Sequence, residues 1–268
     1  MKIPGKEDPI MERERLQATY VGGPTALFEW CGFRLLTDPT FDPPGGKYEN
    51  GPVVLEKTIG PAIAPETLGH VDCVLLSHDH HLDNLDHSGR NFLAGVPRVI
   101  TTVEGAARLG GNAVGLFPWQ SIEIPGADGQ VLRITGTPAQ HGPANFSRGA
   151  VTGFVVARAD GPEGAAYLSG DTVWFDGVAE VAQRFPIRMA VLFMGAARVP
   201  VVGPFALTMT ADDGVRAAHA FSEATIVPIH YEGWKHFSES RDVISRAFEV
   251  AGLSGRIRWM RAGTAIDV

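Results

Sequence analysis

The chain has 268 residues, 44% of them hydrophobic and 20% charged, with a formal net charge of −7. That length and balance fit one globular α/β domain with a sizeable core. The acidic balance lacks the broad basic footprint of a nucleic-acid binder and leaves only a local patch open; the two cysteines, Cys31 and Cys73, sit in or beside apolar runs and make no disulfide framework.

Residues 1–17 are polar, carry no apolar signal core, and read as a flexible N-terminal arm before a single domain over 18–268. Strands are predicted from Ala26 to Trp30 and from Arg34 to Thr37, joined by a turn at Cys31 and Gly32. A loop rich in Pro and Gly follows, from Asp38 to about Pro65, and loops of that length are often functional. Val71 to Ser77 reads as a buried strand, and Asp83 to about Ala94 as a helix with Leu85, Phe92 and Leu93 on one face. Arg98 to Thr102 is a further strand. Two hairpins pair Ser121–Ile124 with Val131–Thr135, around an Ala-Asp-Gly-Gln turn, and Val151–Ala157 with Ala165–Ser169.

Met189 to Met209 carries only Arg198 as a charge, but Pro200, Gly203 and Pro204 break it, so it reads as a buried strand and an apolar loop, not a membrane helix. Thr210 caps a helix from Ala211 to Ala220, with Asp213 at the capping-box position. Thr225 to Ile229 is a strand. Ser238 caps a last helix with Val243, Ile244, Ala247 and Phe248 on its apolar face, and Arg256 to Met260 is a closing strand. Hairpins first, then alternating strands and helices, favour two mixed sheets covered by helices. A cytoplasmic chain without membrane insertion is expected.

The densest chemistry lies in Ser77-His78-Asp79-His80-His81-Leu82-Asp83-Asn84-Leu85-Asp86-His87, directly after a buried strand. Imidazoles and carboxylates together are ligands for zinc and related divalent ions. His141, Asp171 and His230 each follow an apolar β-like run by a few residues. Singly they read as a turn residue, a helix cap and a core histidine; four strand ends bearing ligand-type side chains point to one metal site.

Seven stretches carry a resemblance: GGPTALFEW, LLTDPTF, LLSHDHHLDNLD, TPAQHGP, YLSGDTVW, MTADDGVRAA and VPIHYEGW, spanning Thr19 to Trp234. In order they resemble the metallo-β-lactamase superfamily, and locally its branch of ascorbate-6-phosphate lactonase-like metal-dependent hydrolases. The resemblance implies a four-layer αβ/βα sandwich with metals at one edge between the sheets. It places His78, a second histidine of the cluster and His141 on one ion, and Asp83, Asp171 and His230 on the other, with Asp171 bridging. The cofactor it implies is zinc or manganese, one or two ions per chain.

The run departs from the usual H-x-H-x-D-H. Aligning on Asp83 makes His81 the second ligand and His80 an extra; aligning on His78 makes it His80. The first alignment is preferred. Asn84 then stands where a site-two histidine is expected, and its neutral carbonyl is a weaker donor, so a weak, an oxygen-preferring and an unfilled second site all stay open.

The implied function is hydrolysis of a small ester, lactone or phosphoester by a metal-bound hydroxide. Asp83 would orient that nucleophile or take its proton, and His80 or Tyr231 would serve the leaving group. Asp38 and Asp86 are candidates to support the ligands. Tyr231, Trp234, Lys235 and His236 line either a pocket or a surface loop. Arg148 and Arg198 read first as ordinary surface charge, with contact to a substrate phosphate as the alternative. Trp119, Trp174 and Phe175 read as core or pocket wall, and His70, His87 and His219 as structural or exposed. The partner is a small-molecule substrate, not nucleic acid, and a homo-oligomer stays open. Two rival readings remain: a non-catalytic metal- or ligand-binding module, and an iron-dependent redox member of the same fold.

Overall fold

The computed structural model describes residues 16–50, 52–126, 129–146, 148–161 and 164–268. The expected N-terminal arm, up to residue 15, and Ala127 and Asp128 of the expected turn lie outside the described residues.

The chain lays down β1 (Gln17–Gly22), β2 (Thr25–Trp30) and β3 (Phe33–Thr37) as an antiparallel meander. A separate hairpin, β4 (Lys47–Asn50) and β5 (Val53–Glu56), comes next. Then β6 (Cys73–Leu75), β7 (Val99–Thr102) and β8 (Ala113–Leu116) extend the first sheet in parallel beyond β3. The second sheet begins with the antiparallel run β9 (Ser121–Pro125), β10 (Val131–Pro138), β11 (Thr152–Arg158) and β12 (Ala165–Leu168). It continues in parallel with β13 (Ile187–Phe193) and β14 (Thr225–Ile229). Finally β15 (Ala265–Asp267) returns to pair with β1. The strand orders are β15-β1-β2-β3-β6-β7-β8 and β14-β13-β12-β11-β10-β9.

Among the described residues five α-helices cover these sheets: α1 (His87–Phe92), α2 (Val103–Leu109), α3 (Asp176–Arg184), α4 (Ala211–Ala220) and α5 (Arg241–Val250). Strand side chains alternate between faces, and here both faces are buried. On β13, Met189, Val191 and Phe193 point between the sheets, where they meet Phe28, Leu35 and Leu75 of the first sheet. Ala190 and Leu192 point outward to Val178, Val181, Ala217, Ile244 and Phe248 of α3, α4 and α5. On the first sheet Leu27, Leu36 and Val74 point outward to Leu85 and Leu93. Helix, sheet, sheet and helix thus stack in four layers, the αβ/βα sandwich.

Several elements differ from expectation, each for a local reason. The loop after Asp38 holds the hairpin β4–β5, whose Tyr48, Val53 and Leu55 face inward; two very short strands containing Lys, Glu and Asn give little β signal. The helix expected from Asp83 starts only at His87, because Asp86 caps it by accepting from the Gly89 amide. Residues 81–85 form a turn instead, with amides of Asn84 and Leu85 bonded to the His81 carbonyl. At the last helix the cap position is Ser240, while the Ser238 hydroxyl donates to the Ala196 carbonyl at 2.6 Å. Arg256–Met260 contributes only the isolated bridge of Ile257 with Ile226, and the strand that closes the first sheet is β15. The capping box of Thr210 and Asp213 is present on α4. Among the described residues no helix is long and apolar enough to cross a membrane.

Candidate metal centre

The site forms where β3, β6, β10, β12 and β14 end along one edge of the sandwich, and each delivers a polar side chain. After β3, Asp38 adopts a left-handed backbone (φ 24°) and its Oδ1 accepts from the Ser77 amide at 3.0 Å and the Ser77 hydroxyl at 2.6 Å. Ser77 Oγ in turn lies 2.9 Å from His78 Nδ1. With the hydroxyl proton given to Asp38, Ser77 accepts from Nδ1–H, so His78 Nε2 carries a bare lone pair. After β10, His141 is fixed in the same way: its Nδ1 donates to the Leu207 carbonyl at 2.8 Å, freeing Nε2. Asp171 follows β12 through Gly170, whose φ is +59° and where a Cβ would stand 2.6 Å from the Thr152 carbonyl oxygen. After β14, His230 also takes a left-handed backbone (φ 56°), with its amide on the Gly23 carbonyl.

These ends bring two donor groups together. In the first, His78 Nε2 lies 2.8 Å from His81 Nδ1, which lies 3.2 Å from His141 Nε2. In the second, His230 Nε2 lies 3.4 Å from Asp171 Oδ1 and 3.8 Å from Asp83 Oδ2. The other oxygen of Asp171 is 3.7 Å from His141 Nε2, so its carboxylate spans both groups. All six side chains are buried.

Burial lowers the pKa of His78 and His81 well below the ordinary 6.5, and their imidazole neighbours lower it further. Both rings are therefore neutral ligands near pH 7. Burial alone would raise Asp83 and Asp171, yet His236 and His230 respectively hold them below the ordinary carboxylate value. Burial depresses His230, but the attraction of Asp171 and Asp83 outweighs it and raises the imidazole.

The donor chemistry fits divalent cations. Two bare imidazole lone pairs meet a third ring nitrogen at one point, and the buried His230 Nε2 has no hydrogen-bond partner among the described residues. Such a cluster of buried polar groups is costly without a shared partner, and a cation supplies one.

Not every expected residue joins the cluster. A ring nitrogen of His80 comes within 4.8 Å of those of His78 and His81. Its Nε2, however, meets the Arg148 carbonyl at 2.7 Å, so His80 holds the loop at Arg148 rather than facing substrate. Gly149 lies over that ring with φ +97°, and a Cβ there would stand 2.5 Å from His80 Nε2. Asn84 reaches the cluster through its amide nitrogen, which donates to Asp171 Oδ1 at 3.3 Å; that end is a donor, not a ligand. Tyr231 points the other way, into the outer core, with its ring edge-on to Trp259 at 5.3 Å. Burial raises its hydroxyl pKa further, so the structure does not support the leaving-group role.

Asp86 is an anchor: it accepts from the amides of Phe41, Asp42 and Gly89 and pairs with buried Lys57 at 2.8 Å. Trp119, Trp174 and Phe175 pack against the outer core. Arg198 and Lys235 are exposed. Arg148, in contrast, enters the pocket over the cluster together with His81, Asp83, His141 and His236. Val53, Leu55, Val199 and Leu207 form its apolar wall. The residue the sequence left without a definite role is His236, whose Nε2 is 3.0 Å from Asp83 Oδ2. No fixed spacing joins it to the His/Asp cluster, and only the turn after His230 brings it there.

Residues 33–231 match the family described as β-lactamase superfamily domain. The uncharacterized protein Rv0906 of Mycobacterium tuberculosis is 27% identical over 228 residues, covering 82% of this chain; the chain in turn spans 59% of that relative's length. A UPF0173 metal-dependent hydrolase of Pyrobaculum neutrophilum is 26% identical over 222 residues, covering 81% of this chain and 84% of the relative. Among solved structures, an isothiocyanate hydrolase from Delia radicum gut bacteria superposes with a TM-score of 0.78 at 24% identity, covering 94% of this chain and 98% of that one. With the four-layer sandwich and the paired donor groups at its edge, these matches assign the chain to the β-lactamase superfamily, within the metallo-β-lactamase fold.

Proposed function

We propose that this chain is a metal-dependent hydrolase of a small substrate, with His78, His81 and His141 holding one ion and Asp83, Asp171 and His230 contributing to a second. The observation that carries this reading is Asp171, whose two oxygens face the two donor groups at 3.7 and 3.4 Å. When bound, such an ion would lower the pKa of a water, to about 7 in zinc sites, and would polarise a substrate oxygen. The chain's own residues do the rest. Asp83, kept ionised, would orient the attacking water, and would accept its proton where the second ion is absent. The apolar wall of Val53, Leu55, Val199 and Leu207 borders the donor groups and excludes bulk water.

Arg148 gives the pocket a preference. Its Nη2 is 3.4 Å from His81 Nε2, and its buried Nε has no hydrogen-bond partner among the described residues. A guanidinium so placed pairs with a substrate carboxylate, phosphoryl or acyl oxygen. Small esters, lactones of the ascorbate-6-phosphate lactonase-like branch, and phosphoesters all satisfy that combination. The activity named for the isothiocyanate hydrolase adds another small electrophile to the assay panel.

The test is turnover of such a panel by purified protein, before and after chelation. Hydrolysis abolished by chelator and restored by zinc or manganese supports the reading. Turnover indifferent to chelation contradicts it, and so does metal binding without hydrolysis of any class, which favours the non-catalytic module.

A further inference from the structure

Asn84 occupies the place where the resemblance puts a histidine, and it presents a donor nitrogen to Asp171. Asp83, Asp171 and His230 are therefore one imidazole short of a full second set. His236 stands beside that gap. Its Nε2 is 3.0 Å from Asp83 Oδ2, the same oxygen that lies 3.8 Å from His230 Nε2. His230 Nε2 is in turn 3.4 Å from Asp171 Oδ1. Donors that share an ion at about 2.0–2.2 Å are separated by about 3–3.5 Å; the 3.0 and 3.4 Å separations fall in that range and the 3.8 Å separation is slightly wider.

The His236 side chain is only 9% exposed, and its Nδ1 has no hydrogen-bond partner among the described residues. Phe237 braces both imidazoles, with ring centroids 4.7 Å from His236 and 4.8 Å from His230. The backbone delivering it is fixed as well: the His236 carbonyl accepts from the Arg198 amide at 2.9 Å, and Phe237 bridges to Ala197.

We propose that His236 is a ligand of the second ion, replacing the histidine absent at Asn84. Asn84 is then a positioning residue, aligning Asp171 through its amide. The inference rests on the hydrolase reading and goes beyond it: the second set becomes two imidazoles and two carboxylates. That composition suits zinc better than an all-oxygen site would.

The experiment is cobalt(II) titration of metal-free protein, followed by absorbance and by the cobalt-shifted, solvent-exchangeable imidazole N–H resonances in proton NMR. Circular dichroism confirms that each variant is folded. The wild type is expected to bind about two ions. His236→Gln loses second-ion affinity by more than about 100-fold, beyond the roughly 10–100-fold that loss of an orienting partner costs. It also shows one fewer shifted resonance. Adding Asn84→His to His236→Gln restores the second ion. If His236→Gln keeps both ions and every shifted resonance, the inference is overturned while the hydrolase reading stands. If the folded wild type binds no cobalt, the hydrolase reading falls and takes the inference with it.

Discussion

At the residue scale, the side chains that hold metal are distinct from those that hold substrate. His141→Ala removes one of three converging nitrogens, so bound metal and kcat/KM should fall together, the latter by more than about 100-fold. Elemental analysis beside kinetics checks this, and a variant that keeps both sinks the assignment. Arg148 touches the cluster only at its edge, 3.4 Å from His81 Nε2. Arg148→Met should leave metal content intact and raise KM for anionic substrates roughly tenfold or more, because a charge-assisted hydrogen bond contributes about 1.5–3 kcal/mol. An unchanged KM across charged and neutral substrates would remove Arg148 from recognition.

At the element scale, the metal loop is precise because it is pinned from outside. Asp86 caps α1, takes two amides from the segment after β3, and neutralises the buried ammonium of Lys57. Asp86→Ala strands that ammonium, and breaking a buried pair from one side costs about 3–5 kcal/mol. Urea unfolding of the metal-free variant measures it, and a loss under about 1 kcal/mol would mean the network is not an anchor. The same scale explains what the sequence discloses. Long apolar runs such as Val71–Ser77 and Met189–Phe193 reveal strands buried on both faces, and polar residues at their ends reveal the edge where chemistry collects. The capping box at Thr210 is equally visible. Hidden were the hairpin β4–β5, too short and polar to register, and the true start of α1, set by the Asp86 cap. His236 was named only as one of several pocket or loop residues, since a turn, not a motif, carries it to Asp83. Tyr231 adjoins His230 in sequence, but past the left-handed backbone at His230 its ring packs into the outer core against Trp259.

At the scale of the whole molecule, the buried cluster links stability to pH. His78, His80 and His81 titrate below the ordinary 6.5 in the fold, chiefly because they are buried. Below that value the unfolded chain binds protons that the folded chain refuses, so acid favours unfolding. His230 and the buried Asp38 are raised and work in the opposite direction, two groups against three. Metal-free protein should therefore lose thermal stability between about pH 6.5 and pH 5. A further loss follows below the ordinary carboxylate value of 3.8, as Asp83 and Asp171 are protonated. A melting temperature that rises on acidification from neutral pH would contradict this balance.

Two ions at the edge of the sandwich, held between side chains already gathered there, underlie all of this chemistry. The most direct measurement is the metal content of purified wild-type protein by elemental analysis, as isolated and after reconstitution. The account predicts about two equivalents of zinc or manganese per chain. Iron as the bound metal would favour the redox reading, and a folded protein that holds no metal even after reconstitution would contradict the account outright.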